Sequence, residues 1–136
     1  LHACDIATDL VLSCAVQRRA GLILSTPCCQ HELFKEAHAD ALEVLMQQPL
    51  LWHKVTDALT DALRCTWLQA QGYSVQTIEL VEPEQTPKNV LIRARAVQTD
   101  EKTRAAHAHR YRAVCRFFGA EPQHLLPLPV KTEETL

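Results

Sequence analysis

Two short polar segments of this chain combine residue types that carry chemistry. The segment "STPCCQHEL", residues 25–33, follows the apolar run "AGLIL" and holds two adjacent cysteines, a glutamine, a histidine and a glutamate. The segment "LHACD", at the start of the sequence, holds a histidine, a cysteine and an aspartate. Thiols, imidazoles and carboxylates bind metals, attack electrophiles or move protons, so these two segments define a candidate site.

A metal site is the first interpretation of these residues. Thiolates and imidazoles bind zinc, and His2, Cys4, Cys28, Cys29 and His31 could supply four ligands. Zinc-binding cysteine pairs usually have two to four residues between them, whereas Cys28 and Cys29 are adjacent and tend to point apart. The spacing therefore argues against a metal, and we expect none.

A nucleophilic cysteine is the second interpretation. Cys28 or Cys29 lies just before a predicted helix start, with His31 nearby, and both features favour a thiolate. The sequence identifies no further group that would orient such a nucleophile.

A pocket-forming loop is the third interpretation, and an ordinary turn is the fourth. Pro27 stiffens the strand exit, small cysteine side chains let the backbone approach a ligand, and Gln30 and His31 offer hydrogen bonds. Alternatively, Gln30 and Glu32 only satisfy the first turn of the following helix.

The sequence pattern predicts strands alternating with helices around these segments. In chain order it predicts a strand ending in "LHAC", a helix capped by Asp5 or Thr8, the strand "GLILST", helices over about 30–47 and 50–71, the strands "YSVQTIELV" and "NVLIRARAV", and a helix over about 100–118. The predicted buried helix faces are Leu10, Val11, Cys14 and Ala15, then Leu33, Phe34, Ala37, Ala41, Val44 and Leu45, and then Leu51, Val55, Leu59, Ala62 and Thr66. The continuous apolar run "GLILST" is typical of a strand covered on both faces.

This order of elements favours a mixed sheet. Alternation in the first part implies parallel strands with helical crossovers, and the short turn between the last two strands implies an antiparallel pair. Ligands of open parallel sheets bind beyond the carboxyl ends of the strands. Both polar segments follow such ends, so we expect them to face one crevice.

Charge is distributed unevenly along the chain. Residues 1–87 hold five Lys/Arg against eleven Asp/Glu, a net of −6, and residues 88–116 hold eight against two, a net of +6. The basic block could contact phosphates or could be a solvated helix face; its candidate side chains are Arg104, His107, Arg110, Arg112 and Arg116. The turn "TPKN" could bring Lys88 and Asn89 to a ligand.

Six irregularly spaced cysteines and the absence of a signal peptide favour a reduced, cytoplasmic protein. We expect Cys14, Cys65 and Cys115 to be small core residues. No apolar run approaches the ~20 residues of a membrane span. Because the sequence opens on the apolar "LHAC" without a methionine, we expect a fragment of a longer protein.

Three segments in order, "LHACDIATD", "STPCCQHEL" and "TPKNVLIRA", resemble a family of class I S-adenosylmethionine-dependent methyltransferases. These methyltransferase-like proteins carry H-A-C-[DG] after strand four, P-C-C after strand five and a closing P-K-N-hydrophobic-R strand, and some are described as RNA methylases. The resemblance covers most of residues 1–97.

The resemblance implies an α/β fold, the C-terminal half of a Rossmann-like sheet. The family's strand order is 3-2-1-4-5-7-6 with strand seven antiparallel, so this chain would hold strands 4-5-7-6 flanked by helices. Residues 1–120 would be the C-terminal part of the methyltransferase domain, and 121–136 a Pro-rich tail without regular structure. The glycine-rich loop and the ribose-binding acid of the family lie upstream and are absent here.

The resemblance also implies roles for the two polar segments. His2, Ala3, Cys4 and Asp5 would border the cofactor S-adenosyl-L-methionine in the full-length protein. Pro27, Cys28, Cys29 and Gln30 would line the acceptor side, which Lys88 and Asn89 could reach, and Asp5 or His31 would handle the acceptor's proton.

The expected partners are the missing N-terminal half and an RNA, protein or small-molecule acceptor, and the fragment is expected to form a homodimer. Two alternatives stay open: a non-catalytic α/β module docking nucleic acid through residues 88–116, and a thiol- or zinc-based protein.

Overall fold

Four strands form one sheet in the computed structural model, which describes residues 2–28, 30–80 and 89–128. The strands are β1 (His2–Ala3), β2 (Leu22–Pro27), β3 (Tyr73–Glu79) and β4 (Val90–Ala96). The helices are α1 (Ile6–Gln17), α2 (Glu32–Glu36), α3 (Glu43–Met46), α4 (Pro49–Ala70) and α5 (Glu101–Phe118), with a 3-10 turn at Asp40–Leu42.

The sheet is mixed, with the strand order β1-β2-β4-β3. β1 runs parallel to β2, with His2 opposite Thr26, and β4 runs antiparallel to both β2 and β3. The predicted α/β class, with helices packed on a sheet whose last strand is antiparallel, is confirmed at this level; the described helices cover one face of that sheet. Its membership of a larger Rossmann-like sheet is part of the proposal below.

One face of the sheet is buried and the other is open. Ile23, Ile92 and Ala94 are buried in one cluster with the helices, since side chains along β4 alternate between the two faces of the sheet. On the opposite face Leu22 and Leu24 are 56% and 43% exposed. The prediction that β2 is covered on both faces is therefore wrong for the described part of the chain, since none of its elements covers that second face.

Helix α1 turns its polar side inward. The predicted buried face is wrong: Leu10 is 52% and Val11 40% exposed, and Cys14 is exposed as well. The buried residues of α1 are Thr8, Asp9, Leu12 and Ser13. Asp9 and Ser13 can be buried because distant segments of the chain supply hydrogen-bond partners, Arg64 for Asp9 and residues 124–126 for Ser13.

The helix predicted over 30–47 is broken into short pieces. Residues 37–39 leave the helical path, with Ala37 extended at φ −66° and ψ 130°. The backbone N–H of His38 donates to the carbonyl of Phe118, 2.7 Å away. This tertiary contact overrides the local helical pattern, and Val44, predicted to be buried, is 81% exposed.

The long helix predicted over 50–71 is confirmed as α4, but its predicted buried face is wrong along most of the helix: Leu59 is buried, whereas Ala62 is exposed and Thr66 is only half-buried. Leu51 is 45% exposed and Trp52 is 5% exposed. Thr56 and Thr60 are buried because their hydroxyls donate to backbone carbonyls one turn earlier in the helix. The remaining buried residues of α4 are Leu59, Leu63, Arg64, Trp67, Leu68 and Ala70.

The segment 121–128 contains no helix or strand, yet it packs on the core. Leu125 and Leu128 are buried, and the indole Nε1 of Trp67 donates to the carbonyl of Leu126 at 2.8 Å. Ser13 Oγ donates to the carbonyl of His124 at 3.0 Å and accepts from the Leu126 N–H at 3.1 Å. We call this segment the latch, because it ties α1 to α4.

The three cysteines of the helices, Cys14, Cys65 and Cys115, differ in burial. Cys115 is buried and Cys65 half-buried, whereas Cys14 is exposed, so the expectation of a core position is wrong for Cys14. Its place on the outward side of α1 explains the difference. Among the described helices, none is long and apolar enough to cross a membrane.

Candidate functional site

The parallel pairing of β1 and β2 brings the two polar segments together. Ala3 lies opposite Pro27, and one residue further along both strands Cys4 Sγ lies 2.9 Å from Cys28 Sγ. The expectation that both segments face one edge of the sheet is therefore met for these residues. We call this place the strand-end site.

The same edge extends across the sheet to β4. In the β2–β4 ladder Ser25 lies opposite Ile92, and Asn89 directly precedes β4 at this same end of the sheet. Asn89 is buried, and its carbonyl accepts from the Leu80 N–H at 2.9 Å. Lys88 and Cys29, also predicted to line the site, lie outside the described residues.

Asp5 occupies an unusual backbone conformation at the start of α1. Its φ of 44° and ψ of −119° lie in a region that favours glycine. Its carboxylate does not cap α1; Oδ1 instead lies 3.5 Å from the backbone N–H of Glu32, in the second polar segment. Asp5 thus faces across the strand-end site, and the strain at its backbone marks it as a functional candidate.

A buried network of charged side chains lies next to the strand-end site and is centred on Arg64. Arg64 of α4 is 0% exposed; its Nε donates to Asp9 Oδ1 at 2.6 Å and its Nη1 to Asp61 Oδ1 at 3.0 Å. Its Nη2 donates to the backbone carbonyl of Asp5 at 2.9 Å. A single guanidinium therefore links α1, α4 and the strained residue of the site.

Burial and charge act in opposite directions on Asp9. Removal from water raises the pKa of its carboxyl, and the neighbouring Arg64 guanidinium pulls it down, with burial the larger effect. Asp9 Oδ2 is buried without a hydrogen-bond partner. Asp9 therefore joins the network through one oxygen, Oδ1. Loss of Arg64 would leave its buried carboxylate without the hydrogen bond that Oδ1 accepts.

Gln30 belongs to the same network. It is 2% exposed, and its amide Nε2 donates to both carboxylate oxygens of Asp61, at 3.2 Å and 3.0 Å. Its amide group therefore anchors the segment after β2 to α4. The spacing of Asp61 and Arg64 on one helix face could have signalled this network, but neither residue, nor Asp9, was predicted as part of the site.

His31 is exposed and lies on the α4 side of the segment. Its ring packs edge-on against the ring of His53, with centroids 5.3 Å apart. His53 Nδ1 lies 3.3 Å from Asp57 Oδ1, and its ring also contacts Phe34. Among the described contacts none joins His31 to Asp5, so the two predicted proton-handling residues are not brought together.

Glu32 connects the site to the latch. Its Oε1 accepts from the Gln123 N–H at 3.3 Å. Burial raises the pKa of its carboxyl, against the lowering effect of that hydrogen bond. Across the described residues no three His, Cys, Asp or Glu side chains gather as a metal ion would require.

The chain is similar to known proteins in the region of this site. A family model described as "Methyltransferase domain" matches residues 1–36, which include both polar segments. This match supports a methyltransferase domain at a coarse level.

Two curated relatives are glutathione S-transferase C-terminal domain-containing proteins. The chain is 34% identical to the Mus musculus protein and 33% identical to the Homo sapiens protein, each over 118 residues. Each match covers 68% of this chain and 18% of the relative, so the chain spans less than a fifth of the length of the curated relatives it matches. No solved structure matches it significantly.

Proposed function

We propose that this chain is the acceptor-side half of a class I S-adenosylmethionine-dependent methyltransferase domain. The observation that carries the proposal is the strand-end site, because the two segments within the family match converge there. The strand order β1-β2-β4-β3, with β4 antiparallel, is the order expected for strands 4-5-7-6 of such a sheet.

The residues of this chain are suited to line the acceptor side of the site. They do not supply the glycine loop that the complete cofactor site needs. Gly21 and Gly72 precede β2 and β3, at the sheet edge opposite the site, and Gly119 ends α5. None of them lies where a glycine loop would let the backbone approach the cofactor. His2, Ala3, Cys4 and Asp5 would border the methyl donor, and the rest of its contacts would come from a partner segment.

Positioning and proton removal are the two tasks that these residues would perform. S-adenosylmethionine, when bound, supplies an electrophilic methyl group. Asp5 would accept the proton that the acceptor's nucleophilic N, O or S releases, while Arg64 holds its backbone carbonyl in place. Pro27, Cys28, Gln30 and Asn89 would shape the acceptor side, with His31 as an alternative proton acceptor.

We propose RNA as the acceptor, on the basis of exposed cations. Arg93 and Arg95 are exposed on the open face of the sheet, in the ladder beside Leu22 and Leu24. Within the basic block Arg104 Nε donates to the Ala70 carbonyl, so this side chain supports the fold. The exposed side chains of Arg93 and Arg95 remain suited to contact the phosphates of RNA.

We also propose that the apolar side of α1 and the free edge of β1 are covered in the working protein. The natural covering is the N-terminal half of the domain, and for this chain alone it is a second copy. Bare apolar surface next to the β1 edge favours such an association.

Methyl transfer by a longer protein that carries this chain tests the proposal. Radiolabelled S-adenosylmethionine is supplied with total RNA, and label in RNA is expected. Asp5→Ala should lower the rate by about 10²–10⁴-fold. Asp40→Ala is the matched control, because the Asp40 side chain is 97% exposed and lies outside the site.

The other outcomes are equally informative. Label in protein instead of RNA would overturn the RNA acceptor. RNA binding without any methyl transfer would favour the non-catalytic binding module. Full activity of Asp5→Ala would overturn the role of Asp5.

A further inference from the structure

The thiols of Cys4 and Cys28 meet across the strand-end site. Their sulfur atoms are 2.9 Å apart, although the two residues are 24 positions apart in the chain. Cys4 is exposed and Cys28 is half-buried, so small solutes in water can reach the pair. The hydrogen bonds described for the charge network beneath the site join Arg64 to Asp9 and Asp61, and Gln30 to Asp61.

The backbone places the two cysteines where a covalent bond needs little movement. They follow the paired residues Ala3 and Pro27 in the same register, on neighbouring parallel strands. Neighbouring strands lie about 4.8 Å apart, within the Cα separation of roughly 4.4–6.8 Å that disulfides span. Two thiols held this close are already arranged as partners.

We propose that Cys4 and Cys28 form a peroxide-responsive dithiol that closes to a disulfide. The thiolate of the exposed Cys4 attacks hydrogen peroxide; its sulfur becomes a sulfenic acid and one oxygen leaves as water after protonation. The Cys28 sulfur then attacks the sulfenic sulfur, the S–S bond forms, and a second water leaves. In total two thiols are oxidised and one peroxide is reduced to two waters.

Closure would act directly on the strand-end site. Cys4 precedes the strained Asp5, so a bond from Cys4 to Cys28 fixes the backbone on both sides of the crevice and removes two small side chains from it. The effect on methyl transfer rests on the proposed function. The oxidation itself rests only on the two sulfurs.

Thiol counting and peptide mapping test the oxidation on the reduced chain. After treatment with hydrogen peroxide the chain should lose two titratable thiols and the mass of two hydrogen atoms. A Cys4–Cys28 linked peptide should appear, and dithiothreitol should restore the thiols. Cys14→Ser is the matched control, because Cys14 is also exposed but lies on α1, and it should leave the linked peptide unchanged.

Further variants give the proposal two ways to fail. Cys28→Ser should abolish the linked peptide, and Cys29→Ser should keep it. A link from Cys4 to Cys29, or oxidation of Cys4 beyond sulfenic acid without any link, would overturn the proposal. Both readouts are independent of catalysis, so a failure here can be told apart from a failure of the methyltransferase proposal.

Whether closure switches activity is read on the longer protein. Peroxide should lower methyl transfer in the unaltered protein, whereas the rate of the Cys28→Ser variant, compared with its own rate before treatment, should not respond to peroxide. Equal loss in both would show that the disulfide does not control the reaction.

Discussion

At the scale of single residues, Arg64 is the side chain on which the site depends most. It is fully buried, it pairs with Asp9 and Asp61, and it binds the backbone of Asp5. A buried charge is tolerated only when its partners are in place, so the network specifies one arrangement of α1, α4 and the site.

Arg64→Met should therefore be strongly destabilising. It leaves the Asp9 carboxylate buried without its cation, and we expect the free energy of unfolding to fall by about 3–5 kcal/mol. Urea denaturation followed by circular dichroism measures the change. Arg116→Met, at an exposed position of α5, is the control and should change the free energy by less than ~0.5 kcal/mol. Equal effects of both variants would show that the network contributes nothing.

Asp5 allows strain and side-chain chemistry to be separated. Its φ of 44° favours glycine, so Asp5→Gly should be more stable than Asp5→Ala by about 1 kcal/mol. Both variants lose the carboxylate, so both should lose methyl transfer to the same extent. Thermal unfolding of the pair provides the measurement, and an alanine variant as stable as the glycine variant would contradict the assignment of strain.

The buried thiols predict a pH dependence of stability. Burial raises the pKa of Cys65 to about 12 and that of Cys115 to about 11. An unfolded thiol ionises near pH 8.5, so above that pH the unfolded chain releases protons that the folded chain keeps, and the stability falls as pH rises.

Urea denaturation between pH 8 and pH 9.5 should show this decline. Cys65→Ala should flatten it, whereas Cys14→Ser, at an exposed position, should not. An unchanged slope in Cys65→Ala would exclude the buried thiol as a cause.

At the scale of elements, α1 is the most informative helix. Its leucines point to opposite environments: Leu12 is 0% exposed and Leu10 is 52% exposed. Helix α1 buries Asp9 and Ser13 against the rest of the described chain and exposes Leu10 and Val11 on its outer side. Such a helix is suited to pack on both sides. This is why we propose a covering partner for its outer side.

Lysine substitutions on α1 test that interpretation. Leu12→Lys should unfold the chain, because it buries an unpaired charge in the core. Leu10→Lys should change stability by less than ~0.5 kcal/mol and should reduce the self-association seen by light scattering at micromolar concentration. A chain that is monomeric before the substitution would overturn the proposed homodimer.

Local patterns predicted the long helices themselves. The apolar spacing identified α4 over 50–71 and α5 over about 100–118. The pattern of α1 failed because the partners of Asp9 and Ser13 come from 55 and more than 110 residues away. No local window contains the information that makes these polar residues buried.

At the scale of the whole molecule, the predictable part of the site was its location. The carboxyl ends of two parallel strands meet at one edge, and topology is enough to state this. The charge network beneath was not predicted, because the predicted apolar face of α4 differs from the buried face on which Arg64 lies. The sequence does not show locally that Arg64 is buried beside three hydrogen-bond acceptors, namely Asp9, Asp61 and the backbone carbonyl of Asp5.

The latch has a consequence for the time course of synthesis. Ser13 leaves the ribosome before its partners His124 and Leu126, which follow 111 and 113 residues later. At roughly 5–20 residues per second, this gap lasts on the order of 5–20 seconds. The nascent chain can pair β1 with β2 first and receive Arg64 for Asp9 next, and the latch, which emerges later, then ties α1 to α4. A premature stop just before residue 124 would therefore give a chain that contains the described strands and helices of residues 2–118 but lacks the tie between α1 and α4.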